Sequence, residues 1–296
     1  MIINLSRIIT FTGITSLVGC TTSNVGPKQE NAASPKFSVS LPFTTAKSVV
    51  VIPVEREGEI RSFVFDTGAD ATLIQRDSLV GKQENVTGAS KREMLLGKEI
   101  IPTLSIAGVN FRQVQAFNGN LRGLKEQIPN FGGLIGQSII SKACWLIDYP
   151  NRQLSMASQN LADTSFCDLK AFAKKGKPYV TLIIDGKKYD ALVDLGSTAC
   201  ISISKESSLA KAILIKYPVK DNTRDIYSLG GLQKVTEKVG VLPTVQIGET
   251  AFTDVAFDIR STSGLRIGMR FFTQYAIHIN GFDGTYKVKR LPGKDH

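Results

Sequence analysis

Phe65-Asp66-Thr67-Gly68-Ala69-Asp70 stands inside an apolar run, with Phe63-Val64 before it and Ala71-Thr72-Leu73-Ile74 after it. A carboxylate framed by strand-forming residues is costly to bury unless a partner meets it. Gly68 lets the chain turn sharply directly after the acid. Thr67 supplies a hydroxyl that both donates and accepts. Read alone, Asp-Thr-Gly is equally the end of a strand in an ordinary Asx or Ser/Thr turn. What surrounds it decides between the two readings.

The surroundings occur twice. Val49-Val50-Val51-Ile52-Pro53-Val54, a polar turn at 55–58 and Ser62-Phe63-Val64-Phe65 lead into Asp66. Lys177-Pro178-Tyr179-Val180-Thr181-Leu182-Ile183-Ile184, a hairpin turn at Asp185-Gly186 and Tyr189-Asp190-Ala191-Leu192-Val193 lead into Asp194-Leu195-Gly196-Ser197-Thr198. Ile101-Pro102-Thr103-Leu104, with Ile106, Phe111 and Val114, matches Leu242-Pro243-Thr244-Val245, with Ile247, Phe252 and Val255. Phe131-Gly132-Gly133-Leu134-Ile135-Gly136 matches Gly264-Leu265-Arg266-Ile267-Gly268, and Trp145-Leu146-Ile147-Asp148 matches Ile277-His278-Ile279-Asn280. Four blocks in one order, with small insertions between them, mark an internal duplication. The short β-branched and aromatic runs broken by Gly, Asp and Asn predict a mainly β protein.

Asp66-Thr67-Gly68-Ala69-Asp70 resembles the active-site loop of aspartic proteases, in its spelling most of all the retroviral type. Gly132-Gly133-Leu134-Ile135-Gly136 resembles the glycine segment that crosses beneath that loop in the family. Gly264-Leu265-Arg266-Ile267-Gly268 resembles it more loosely, because Arg266 takes a place usually apolar or small. The likeness covers residues 48 to 288. It implies an all-β, bilobal acid protease fold made of two retropepsin-like β-barrel lobes, with a cleft between them. A short helix and then a strand at 145–149 are expected after the first glycine segment.

The resemblance also implies the chemistry. Asp66 and Asp194 are the acids placed equivalently in the duplication, so they are the expected catalytic pair. Two close carboxylates share one proton. The ionised member takes a proton from water while the protonated member polarises the scissile carbonyl. Thr67, Gly68, Gly196 and Ser197 are the expected loop supports. Flap hairpins are expected at Glu84–Met94, around Gly88, and at Ile226–Val235, with Tyr227 and the Gly230-Gly231 tip. Asp70 is a candidate for binding a substrate amide or an arginine, or else a solvated loop acid. Leu195 departs from the family, which has Thr or Ser there. Its missing hydroxyl is made good by Ser197 or a backbone group, or the pair is loose, or Leu195 packs into an altered interface.

Residues 1–19 carry Arg7 and an apolar stretch ending Leu17-Val18-Gly19-Cys20, which resembles a bacterial lipoprotein signal with Cys20 as the lipidated residue. Thr21 after it fits the outer membrane, facing the periplasm, better than the inner one. Residues 20–45 read as a polar tether, 46–159 as lobe one, 160–176 as a linker with a helical turn within 169–175, 177–290 as lobe two and 291–296 as a tail.

The 296 residues carry a net charge of +10. Lys and Arg are scattered without a nucleic-acid-binding motif, so the charge reads as a solvated surface near an anionic membrane. The two histidines are His278, within a repeat, and the terminal His296. That leaves no Ser-His or Cys-His arrangement, and His278 reads as structural. No HExxH or paired CxxC motif calls for zinc, and no cofactor is expected. Cys144, Cys167 and Cys200 allow one disulfide with a leftover thiol, or free thiols. Trp145 reads as a packing residue.

The expectation is an envelope-anchored aspartic endopeptidase acting on peptide or protein substrates. One chain supplies both acids, so a monomer suffices. Two alternatives stay open. One is a peptide- or partner-binding lipoprotein of the same fold that has lost catalysis. The other is a homodimer of the first lobe, with an Asp66/Asp66 pair.

Overall fold

The computed structural model describes residues 36–88, 93–228 and 231–291. The Cys20 lipidation reading, Gly230 and most of the expected tail lie outside these residues.

The first half contributes β1 (Ser38–Pro42), β2 (Thr44–Ala46), β3 (Val49–Arg56), β4 (Glu59–Phe65), β5 (Thr72–Gln75), β6 (Lys82–Thr87), β7 (Glu93–Ile106), β8 (Val109–Gly119), β9 (Phe131–Ile135), β10 (Cys144–Asp148) and β11 (Gln153–Ala157). Its helices are α1 (Arg122–Lys125) and α2 (Gln137–Ile140). The second half contributes β12 (Cys167–Asp168), β13 (Phe172–Lys174), β14 (Lys177–Ile184), β15 (Lys187–Asp194), β16 (Ile201–Ser204), β17 (Lys220–Ser228), β18 (Gly231–Ile247), β19 (Thr250–Arg260), β20 (Arg266–Gly268), β21 (Tyr275–Asn280) and β22 (Thr285–Arg290). Helix α3 (Ser208–Lys216), capped by the Ser207 hydroxyl, and a 3-10 turn at Met269–Phe272 complete it.

The protein is therefore mainly β, as its composition of short β-branched runs requires. The duplication is visible in the strand order. One eight-stranded sheet runs β2-β3-β4-β9-β5-β8-β7-β6 and the other β13-β14-β15-β20-β16-β19-β18-β17, each strand answering its counterpart. In each half the strand ending at the acid pairs in parallel with the glycine segment: Phe65 with Ile135, and Asp194 with Gly268. The β14–β15 hairpin closes through Asp185 and Gly186 at φ 51° and 72°. That left-handed pair matches the twist of the flanking strands, and glycine adopts it without strain.

A third, six-stranded sheet joins the halves in the order β1-β11-β10-β21-β22-β12. At its centre β10 and β21 run antiparallel with Leu146 opposite His278, so equivalent repeat positions face each other across the junction. Trp145, fully buried on β10, packs edge-on against Phe65 at 5.2 Å and stacks on Phe111 at 6.3 Å. Its indole N–H donates to Ile140 O at 2.9 Å. The Trp145 side chain thus braces the strand that carries Asp66.

Two stretches differ from the sequence reading. The polar tether ends before residue 38, because Ser38–Pro42 pairs with β11 and Thr44–Ala46 with β3. Leu41 is buried, and the strand is stabilised by a partner far along the chain rather than by its own composition. The linker is partly strand. Residues 167–168 pair with β22, and 172–174 form β13 where a helical turn was expected. Cys144, Cys167 and Cys200 are free thiols, with Cys167 exposed and the other two buried.

Candidate active site

Asp66 follows β4 and Asp194 ends β15, and the structure brings them together at the floor of a cleft between the two eight-stranded sheets. The cleft has a volume of about 250 Å³. Val49, Val64, Leu124, Ile128 and Leu134 give it an apolar wall in the first half, and Ile226, Tyr227 and Val235 line it from the second. That first wall is the open side of a small apolar cluster behind β3, β4 and β9, which fixes its position.

The glycines after the acids are what let the two loops meet. A Cβ on Gly196 would lie 2.3 Å from Asp66 Cγ, and one on Gly68 would lie 2.8 Å from Asp194 Cγ. Each acid is thus packed against the glycine of the opposite loop, and no larger residue fits. The Gly68 N–H donates to Asp66 Oδ1 at 2.9 Å. The Asp66 N–H donates to Ile135 O and the Met269 N–H to Ser197 O, at 2.9 and 2.8 Å, so both loops are tied down to their glycine segments.

Thr67 is fully buried and bridges the halves. Its hydroxyl donates to Val193 O at 2.6 Å and accepts from the Leu195 N–H at 3.0 Å. The carbonyl of Thr67 accepts from the Gln137 side chain of α2 at 2.8 Å. Leu195 cannot return the hydroxyl bond. Its side chain is fully buried in the main core, and its backbone N–H supplies the connection. Ser197 does not substitute. It lines the cleft, its N–H donates to Asp194 O at 3.0 Å, and its hydroxyl accepts from the Ala199 N–H.

Asp194 is buried and forms an ion pair with Arg266, whose Nη1 lies 2.7 Å from Asp194 Oδ2. Arg266 is itself buried, and its Nη2 donates to the carbonyl and hydroxyl oxygens of Ser263. The sequence marked Arg266 as unusual in a glycine segment but gave no target for it. Only the parallel register of β15 and β20, with Leu192 beside Arg266, brings it to the acid. The equivalent residue in the first half is Leu134, beside Val64.

Desolvation at the cleft floor pushes the Asp66 carboxyl up to about 8, and the neighbouring Asp194 charge adds to the rise. The Gly68 N–H and the more distant Arg266 charge pull the other way. Burial and the neighbouring carboxyl group thus both favour the protonated form of Asp66.

The flap candidates form two antiparallel hairpins, β6–β7 and β17–β18. Gly88 and Tyr227 line the cleft, and Lys47 sits over the Tyr227 ring at 4.8 Å, joining the second hairpin to the first half. Gly231 opens β18 at φ 95°. Asp70 does not line the cleft. It is exposed and pairs with Lys177 at 3.1 Å, so the structure places it on a rim contact between the halves. The residue equivalent to it, Thr198, does line the cleft and accepts a hydrogen bond from Ser48. His278 is buried, its Nε2 accepting from the Leu161 N–H, and burial keeps it neutral. Among the described residues no group of three or more His, Cys, Asp or Glu could hold a metal ion, and no helix is long and apolar enough to cross a membrane.

Compared with protein-family models and with curated proteins, the chain matches none.

Proposed function

We propose that the chain is an aspartic-type endopeptidase with a bilobal acid protease fold, using Asp66 and Asp194 as one catalytic pair. The observation that carries this reading is the cross-packing of each acid on the glycine of the opposite loop, which brings the two carboxyl groups together. The carboxylate of the pair accepts a proton from a water molecule as that water attacks the scissile carbonyl carbon. The protonated partner donates to the carbonyl oxygen, and the resulting tetrahedral diol collapses with proton transfer to the leaving amine. The apolar wall beside Asp66 suits an apolar substrate side chain, and the hairpins offer strand edges to an extended peptide. Both acids belong to one chain, so the reading needs a monomer and no first-lobe homodimer. No cofactor enters it. Anchoring at the envelope through Cys20 rests on the sequence alone.

One observation favours a second reading, peptide binding without hydrolysis: Asp194 Oδ2 is already engaged by Arg266. Incubating the folded full chain with a diverse peptide library separates the two. The peptidase reading expects cleavage that Asp66→Asn removes. Retention of peptides without any cleavage by the wild type favours the second.

A further inference from the structure

The two halves are alike in strand order but not in what their glycine segments present to the acids. In the first half that segment places Leu134 beside Val64, where it is apolar and lines the cleft. At the equivalent position the second places Arg266, whose Nη1 is 2.7 Å from Asp194 Oδ2. Both members of that pair are more than nine-tenths buried as side chains. A guanidinium so placed cannot give up its charge, and breaking a buried pair leaves an uncompensated ion.

Arg266 is held for this task. Its second terminal nitrogen is fixed by the Ser263 carbonyl and hydroxyl, so the side chain is anchored from the far side while Nη1 reaches the acid. The other cations of the cleft are occupied elsewhere. Arg224 is met by Glu237 at 2.6 Å, Arg260 by Asp258 at 2.7 Å, and Lys47 rests on the Tyr227 ring. The remaining group facing Asp194 is Asp66 itself. Arg266 is therefore the charge that distinguishes the two acids.

We infer that Arg266 is a positioning residue that keeps Asp194 as the carboxylate and puts the single proton of the pair on Asp66. A pair of near-identical acids becomes one with fixed roles. Asp194, through its oxygen not held by Arg266, is the group that accepts the proton of water. Asp66 is the donor to the carbonyl oxygen. The proton assignment stands on the ion pair alone, and only its catalytic consequence rests on the peptidase reading.

The test is carboxyl titration of the full chain labelled with 13C in aspartate, with the two signals assigned by Asp66→Asn and Asp194→Asn. In the wild type the Asp194 signal stays at the carboxylate position through mildly acid pH, while the Asp66 signal shows a retained proton. In Arg266→Met the lower transition of the pair rises by about one to three pH units. Arg266→Lys, which keeps the charge, restores it. If the methionine variant does not fold, Arg266→Gln supplies the neutral side chain with a hydrogen-bond donor. Unchanged transitions in the folded neutral variant, or an ionised Asp66 beside a protonated Asp194 in the wild type, overturn the inference. Peptide cleavage is read in parallel. The acid limb of its pH profile moves up in the neutral variant and returns in Arg266→Lys. A wild type that cleaves nothing contradicts the peptidase reading, while the titration still decides where the proton sits.

Discussion

Thr67 of the first half and Leu195 of the second are joined by one hydrogen bond, the Leu195 N–H donating to the Thr67 hydroxyl at 3.0 Å. The same hydroxyl donates to Val193 O at 2.6 Å. A single threonine thus satisfies two backbone groups of the opposite loop. Leucine at 195 loses its own hydroxyl bond, but its side chain gains full burial in the core. The junction is asymmetric rather than open.

Thr67→Val removes both bonds and leaves a buried N–H and a buried C=O without partners. A cost of about 1–3 kcal/mol for such a group is expected. Urea unfolding of Thr67→Val should show that loss, while Thr67→Ser, which keeps the hydroxyl, stays within a fraction of it. No loss in Thr67→Val would show that the two hydroxyl bonds contribute nothing net to stability.

Gly196→Ala places a methyl group 2.3 Å from Asp66 Cγ, so the acid or the loop must move. If the pair is catalytic as proposed, a displacement of this kind should lower peptide hydrolysis about a hundredfold. The destabilisation should shrink when Asp66→Ala is made in the same chain, because the clashing carboxyl is then gone. A double-mutant cycle by thermal unfolding measures the coupling. Strict additivity would show that the clash is with backbone.

Stability should fall with rising pH because of Asp66. Its carboxyl is raised in the fold from the ordinary 3.8 to about 8, so the folded state binds the proton more tightly than the unfolded chain. Below the ordinary range both states are protonated and nothing is lost. Between that range and about 8 the unfolded state ionises first and stability declines. Asp66→Asn escapes the decline, so its stability advantage over wild type should grow from pH 5 to about 8, reaching a few kcal/mol. A constant difference across that window would contradict the raised carboxyl.

Much of the site was legible because it is written twice. The blocks around Asp66 and Asp194 carry their own strand and turn signals, and aligning the halves places the two acids equivalently. The short helix α2 and the strand containing Trp145 followed from the same likeness. Contacts set by long-range register were not legible. Arg266 reaches Asp194 only because β20 lies beside β15, and no local pattern names its target. Asp70 meets Lys177, which belongs to the other half. Ser38–Pro42 reads as polar tether, since its alternating Val39 and Leu41 gain a buried face only when β11 lies alongside. Helix α3, capped by Ser207, was not read from the sequence.

Asp66 and Asp194 of one chain are proposed to act as a single catalytic pair. The most direct test is peptide hydrolysis by the full chain, with Asp66→Asn and Asp194→Asn measured separately, from about pH 4 to pH 8 and over a range of protein concentration. A working pair within one chain gives wild-type hydrolysis with a rate proportional to protein concentration, and its loss with either substitution. Hydrolysis that survives in Asp194→Asn, with a rate rising faster than concentration, would contradict the account and point to a pair of Asp66 residues from two chains.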